Sequence, residues 1–359
     1  MAEPNLPNFE GAACPLPLPH ADQIVIGHGS GGRMTHELIQ KVFAPAFSDP
    51  FITGGNDSAS VLLPEAANLQ GRLSISTDSH IVSPLFFPGG DIGLLAVCGT
   101  VNDVSMAGAL PLYLTAGFIL EEGLPVETLT RVVQSMQSAA REAGVRIIAG
   151  DTKVVEKGKA DGLFINTAGV GWIPAGRSIG GELASPGDVI LLSGPIGAHG
   201  IAVLAARGDL GLETDIQSDV APLNHLIQAL LSAAPHTHVL RDPTRGGLGT
   251  TLNEIAVQSK VGIWIEEQAV PVLPQVRTAC EMLGFDPLYI ANEGKLIAFV
   301  PPDEAPAALM AMRKAPYGHG SVIIGQVKAD PPGRVLLRTL IGGTRILDML
   351  SGELLPRIC

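Results

Sequence analysis

Apolar positions along the chain fall into two alternating rhythms: short runs bounded by turn residues, and longer stretches with helical spacing. The first half predicts strands at Ser60–Leu63, Leu73–Ser76, Leu110–Leu120, Val145–Ala149 and Leu163–Val170. Asp91 follows two glycines and can cap a helix running to about Ala107. Val126–Glu142 predicts an amphipathic helix with Leu129, Val132, Val133, Met136 and Ala140 on one face, stopped by Gly144. Residues 174–188 are rich in Gly and Pro with little periodicity, which marks a domain boundary. Alternation then resumes. Strands are expected at Val189–Ser193 and near 263–265, 296–300, 322–327 and 335–338, and helices near 200–206, 223–233, 248–259, 274–283 and 303–314. The pattern fails after Arg338. The reading is an α/β (α+β) protein in four parts: an irregular arm 1–23, two α/β domains 24–173 and 174–341, and a flexible tail 342–359.

Composition narrows the class. A length of 359 residues accommodates two domains, and 46% hydrophobic against 16% charged residues allows a large core. A formal net charge of -12 argues against general binding to nucleic acid or an anionic membrane, though not against a nucleotide held through metal ions. The four cysteines, Cys14, Cys98, Cys280 and Cys359, have neither metal-ligand nor redox spacing. With no apolar run of spanning length and no signal-peptide pattern, they point to a soluble cytoplasmic protein.

The candidate chemistry is acidic. Asp57, Asp78, Asp103 and Asp151 stand at the ends of apolar runs, two of them directly after predicted strands. Carboxylates converging at one sheet edge repel unless a hard cation lies between them, and Mg²⁺ with phosphate oxygens is the usual answer. Each aspartate alone could equally cap a helix or open a turn. Gly-rich segments at 27–32, 88–90 and 244–247 could bring backbone N–H groups to phosphate, but none forms a P-loop or dinucleotide fingerprint. Lys153 shares an extended-chain face with Asp151, and Glu293 lies in a loop between strands where a carboxylate could act as a base. The last residue, Cys359, ends a tail whose roughly 16 residues could span on the order of 55 Å. Such a thiol can be carried into an active site like a substrate.

These segments resemble the HypE family of carbamoyl dehydratases. The resemblance runs through HGSGG (28–32), NDSA (56–59), DSHIVSPLFFPGGDIG (78–93), GTVNDVSMAGALP (99–111), GDTKVV (150–155), RDPTRGG (241–247), NEGKL (292–296) and PRIC (356–359). It implies a two-domain aminoimidazole ribonucleotide synthetase-like fold whose N-terminal sheets pair in a homodimer. It also implies that Cys359 receives a carbamoyl group from the carbamoyltransferase HypF. ATP then drives its dehydration to S-cyanate, and the cyano group passes to iron on the HypC–HypD complex. On this resemblance Asp57, Asp78, Asp103 and Asp151 hold Mg²⁺–ATP. Gly29, Ser30, Gly31, Gly32 and Asn102 lie near the nucleotide, and Lys153 and Glu293 assist proton removal beside the tail.

Two features depart from the family. The arm with Cys14 has no counterpart, and Ala198 stands where the family leads one to expect Asp, which leaves the neighbouring His199 without an assigned role. Two competing readings are a small-molecule kinase or synthetase of the same superfamily, which needs no terminal Cys, and a non-catalytic docking module that uses the PRIC tail.

Overall fold

A computed structural model describes residues 33–38, 59–62, 71–208, 214–350, 355, 357 and 358. A short helix α1 (Arg33–Leu38) precedes the first strands, β1 (Ala59–Leu62) and β2 (Gly71–His80). A two-stranded ribbon, β3 (Phe86–Phe87) and β4 (Gly90–Asp91), leads into α2 (Ile92–Met106). Then come β5 (Leu110–Glu121), α3 (Val126–Ala143), β6 (Arg146–Val155) and β7 (Leu163–Pro174). These strands form a five-stranded sheet in the order β1-β2-β7-β5-β6, antiparallel except for β5 and β6, which α3 joins as a parallel pair.

The sequence explains the helices. The Asp91 carboxylate accepts hydrogen bonds from the N–H groups of Gly93 at 2.7 Å and Leu94 at 3.1 Å, the predicted cap, a contact worth about 1 kcal/mol. Position 93 needs glycine, because a Cβ there would fall 2.4 Å from the Val132 carbonyl of α3. Helix α2 is apolar nearly all round because it is buried nearly all round, between the sheet, α3 and the second domain. Helix α3 buries Val132, Met136, Ala139, Ala140 and Ala143 and stops at Gly144 in the left-handed region. Val133, expected on the buried face, is 45% exposed, so the inward stripe is rotated toward the small alanines.

The second domain is a seven-stranded sheet in the order β14-β13-β10-β12-β8-β11-β9. In chain order its elements are β8 (Val189–Leu192), α4 (Ala198–Ala206), α5 (Asn224–Ala233), β9 (Val239–Arg241), α6 (Gly247–Ser259), β10 (Gly262–Glu266), α7 (Pro274–Leu283), β11 (Ile297–Val300), α8 (Ala305–Lys314), β12 (Val322–Lys328), β13 (Arg334–Arg338) and β14 (Thr344–Leu347). Strand β14 corrects the expectation that regular structure ends at Arg338. It pairs antiparallel with β13 and buries Leu347, which the preceding Gly342 turn makes possible.

One core cluster crosses the domain boundary. Ile92, Leu95, Val132, Leu163 and Ile165 of the first domain pack with Val203, Val220 and Ala291 of the second, and with Ile358 of the tail. Among the described residues the opposite face of the first sheet has no such cover. Ile75, Tyr113 and Ile119 are exposed there, and every residue of edge strand β6 except Val155 is exposed.

Candidate functional site

Strand β2 sends Ser76, Asp78 and His80 toward α2, since alternate residues of a strand share a face. Ser76 donates to the Asp103 carboxylate at 2.8 Å, and the Asp78 carboxylate lies over Gly99, one turn earlier on α2. His80 is buried with Nε2 at 3.6 Å from the Asp78 carboxylate, and burial lowers its pKa below the usual histidine value. Asp78 and Asp103 therefore stand together in a cleft between β2 and α2. They are held inside elements rather than at strand ends.

The second domain closes this cleft with the loop 290–296. Asn102 of α2 donates to the carbonyls of Ala221 and Glu293 at 3.1 and 3.4 Å and accepts from the Leu223 N–H at 2.7 Å. Its amide is thus committed to backbone, and the structure makes it a clamp on the Glu293 loop. The Glu293 N–H donates to Asp219 at 3.1 Å, and Lys295 lies 3.1 Å from the other Asp219 oxygen while donating to the Gly294 carbonyl. The Glu293 side chain is buried, and its Oε1 has no hydrogen-bond partner among the described residues. Burial raises its pKa well above the usual carboxylate value. The charges of Asp78, Asp242 and Asp219 push the same way, against that of Arg245.

Two Gly-rich segments serve close packing. A Cβ on Gly89 would fall 2.6 Å from the Ser218 backbone nitrogen, and one on Gly247 would fall 2.7 Å from the Leu288 carbonyl. Of the other sequence candidates, Gly29, Ser30, Gly31, Gly32, Asp57 and Cys359 lie outside the described residues, as does Cys14.

Asp151 and Lys153 are elsewhere. Both lie within β6, in register with Gly117 and Ile119 of β5, and so face the side of the sheet away from α2. Lys153 donates to Asp151 at 2.7 Å as the shared face requires, and both side chains are 70% exposed. The Lys153 hydrogen bond, aided by the Thr152 N–H, holds the Asp151 carboxyl below its usual pKa. With Ser79, Gly117, Ile119 and Asn166 they line a concavity of about 410 Å³. The expectation that strand ends gather the aspartates at one edge is corrected here. Asp78 and Asp151 sit in pleated strands on opposite faces, and within one chain Lys153 does not meet Glu293.

The described tail residues pack against both domains. Ile358 is buried, and its carbonyl lies 2.8 Å from Nε2 of His199 on α4. The Arg357 carbonyl accepts from Arg207 at 2.7 Å and from the Ser83 N–H at 3.3 Å, and the Arg357 side chain pairs with Asp161 at 2.6 Å. Leu355 packs near Gly200. Sequence reasoning left His199 without a role and passed over Arg207 and Asp161, because the contacts that define them run to a segment more than 140 residues away. Ala198, the departure from the family, is buried among Ile201, Val276 and Ile290.

Comparisons with known proteins show the family and the fold. Residues 55–173 match the family of AIR synthase related protein N-terminal domains, and residues 185–338 the corresponding C-terminal domains. Over 337 residues the chain is 56% identical to the carbamoyl dehydratase HypE of Cupriavidus necator, covering 94% of this chain and 95% of that protein. It superposes on a crystal structure of hydrogenase maturation protein HypE in complex with ATP at TM-score 0.78 and 51% identity, over 94% of this chain and 100% of the other. A HypE–HypF complex gives TM-score 0.82 at 51% identity, over 87% and 99% of the two chains.

Proposed function

The chain belongs to the carbamoyl dehydratase HypE family of hydrogenase maturation, and we propose that the carbamoyl group it dehydrates is carried on its own Cys359. The observation that carries this reading is the seat of the tail. Ile358 is buried in the cluster that contains Ala291, two residues before Glu293, and Cys359 follows Ile358 directly. The seat of Ile358 supports the reading of the thiol that follows it as substrate.

The chemistry asks for three things. The carbamoyl oxygen is a poor leaving group until the γ-phosphoryl of ATP is transferred to it. The nitrogen must then give up its protons. Finally the C–O bond breaks, phosphate leaves, and the electron pair from nitrogen completes the C≡N bond. Glu293, buried and lacking a partner at Oε1 among the described residues, is the group suited to accept a proton once ionised. A tethered substrate also gains effective concentration. ATP, named in the crystal complex of a relative, would be taken on the β2–α2 side, with Asp57 and residues 29–32 completing the site.

Mg²⁺ fits these residues. It keeps several waters and takes one or two carboxylates plus phosphate oxygens, rather than a full protein cage. Among the described residues no group of three or more His, Cys, Asp or Glu could hold a metal ion, whereas Asp78 and Asp103 offer two carboxylates beside each other. They would hold the ion, which when bound neutralises phosphate charge.

Asp151 and Lys153 enter the reading through a homodimer. They lie on the exposed apolar sheet face with Ile75 and Ile119, and pairing of two such faces would present them to a second copy. If Lys153 and Glu293 act across subunits, mixing Lys153→Ala with Glu293→Gln protein should restore about a quarter of wild-type activity. Half the dimers would be mixed, each with one intact site of two. Zero recovery after subunit exchange, monitored with tagged chains, rejects the shared site.

HypF is the proposed carbamoyl donor, after the complex formed by a relative, and HypC–HypD is the proposed cyano acceptor. The tail must leave its seat to meet either. Among the described residues no helix is long and apolar enough to cross a membrane, in keeping with the proposed cytoplasmic location. The deciding measurement is the mass of the C-terminal peptide after incubation with HypF, carbamoyl phosphate and ATP. The expected result is a gain of one carbamoyl group followed by loss of one water. A carbamoylated peptide that keeps its water in the presence of ATP overturns the proposal.

A further inference from the structure

We propose that His199 is a positioning residue that latches the docked tail, and that Ser218-Asp219 is a bracket setting the latched tail in register with Glu293. The proposal rests on the dehydratase reading and deepens it.

The latch is legible in its hydrogen bonds. The Ile358 carbonyl is buried without a strand or helix partner, so it needs a donor from elsewhere. A carbonyl only accepts, so His199 Nε2, at 2.8 Å, carries the proton. In the neutral ring Nδ1 is then an acceptor, and the Ser218 hydroxyl lies 2.8 Å from it. Ser218 Oγ in turn accepts from the Val220 N–H at 3.1 Å, which leaves its own hydrogen free to point at the ring. The relay from Val220 through Ser218 and His199 to Ile358 satisfies every polar atom in one direction and fixes the tautomer. Burial favours the same neutral form. Phe87 packs its ring edge-to-face with the imidazole, with centroids 5.5 Å apart, and so fixes the ring plane. Arg207, just beyond the end of the same helix, holds the preceding carbonyl of Arg357, so α4 grips two consecutive tail peptides.

The bracket joins this latch to the reacting side of the cleft. Ser218 orients His199, and the adjacent Asp219 accepts from the Glu293 N–H at 3.1 Å. Contact between the two segments is tight enough that a Cβ on Gly294 would fall 1.7 Å from the Asp219 carbonyl oxygen. The Ser218 N–H donates to the Pro88 carbonyl at 2.8 Å, anchoring the bracket to the first domain. Neighbouring residues thus hold the tail on one side and the proposed base on the other. A shift of the bracket would move both together.

The test uses the full chain in three variants. His199→Phe keeps ring volume without a donor, His199→Gln keeps an N–H near the Nε2 position, and Arg207→Gln loosens the second carbonyl. Two rates are read by mass spectrometry: alkylation of Cys359 by iodoacetamide, and single-turnover dehydration of fully carbamoylated protein. ATP binding is measured by calorimetry. In His199→Phe, Cys359 alkylation rises about tenfold and dehydration falls about tenfold, the weight of one buried hydrogen bond, with ATP affinity unchanged. His199→Gln recovers most of both, and Arg207→Gln also speeds alkylation. Buried Cys98 and Cys280 report the fold by staying protected. If His199→Phe exposes them, His199→Gln and Arg207→Gln carry the test. Wild-type alkylation rates in folded variants overturn the latch, and so does a Gln variant as impaired as Phe. A wild-type chain that never dehydrates its carbamoyl group sinks the dehydratase reading alone, because the alkylation rates still report the latch.

Discussion

Cys359→Ala gives no cyanated product at any ATP concentration and binds ATP as the wild type does. The substitution removes one sulfur atom, at the residue beyond the contacts that seat the tail. Ile358 remains to fill its pocket, and the Arg357 and Ile358 carbonyls remain to be held by Arg207 and His199. The proposed nucleotide site on β2 and α2 is untouched. No other described thiol can stand in. Cys98 and Cys280 are buried, and burial pushes the Cys280 thiol up to about 11 and raises Cys98 well above the usual thiol value. Neither offers the thiolate that would accept a carbamoyl group. Mass analysis of the terminal peptide gives the product, and calorimetry gives the binding. Cyanation elsewhere in the Cys359→Ala chain would show that the terminus is not the carrier. A superfamily kinase acting on a free small molecule would keep its full rate in this variant.

Local signals in the sequence were read correctly where the physics is local. Asp91 caps α2 because a short acceptor two and three residues ahead of free N–H groups has one good geometry. Lys153 meets Asp151 because alternate residues of an extended chain share a face. What the residue pattern could not supply was which face. Asp78 and Asp151 look alike in sequence, each at the end of an apolar run. Pleat parity turns one to α2 and the other to the open side, and parity depends on where each strand begins in its ladder. Strand β14 went unseen because four residues with only Leu347 buried leave no apolar run. His199 was left without a role for a different reason. A histidine earns its role from its partners, and those partners, Ser218 and Ile358, are 19 and 159 positions away. The burial of Glu293 also came from outside its own turn, since Asn102, Asp219 and Ala221 close over it from other elements.

Glu293→Gln lowers the dehydration rate by about 10²–10⁴-fold, the usual worth of a positioned acid or base, with little change in ATP affinity. The amide keeps the shape of the side chain and leaves the backbone links to Asn102 and Asp219 in place, so the loss reports the proton rather than the fold. Burial and three neighbouring carboxylates hold the Glu293 proton on well above the ordinary glutamate value of 4.5. A base must be ionised, so the wild-type rate should climb with pH along a limb displaced upward from that of an ordinary glutamate. The residual rate of the Gln variant should lack this limb. Stability should move the opposite way. A carboxyl whose pKa is raised on folding favours the folded state least once pH exceeds its folded value, because the charge must then be held in the cleft. Gln imitates the protonated form, so the variant should match wild type in thermal unfolding below pH 4.5 and exceed it increasingly as pH rises. A Gln variant that is slower and also less stable at alkaline pH would make Glu293 a structural residue. Slower but more stable is the signature of a group kept in an unfavourable place for the reaction it serves.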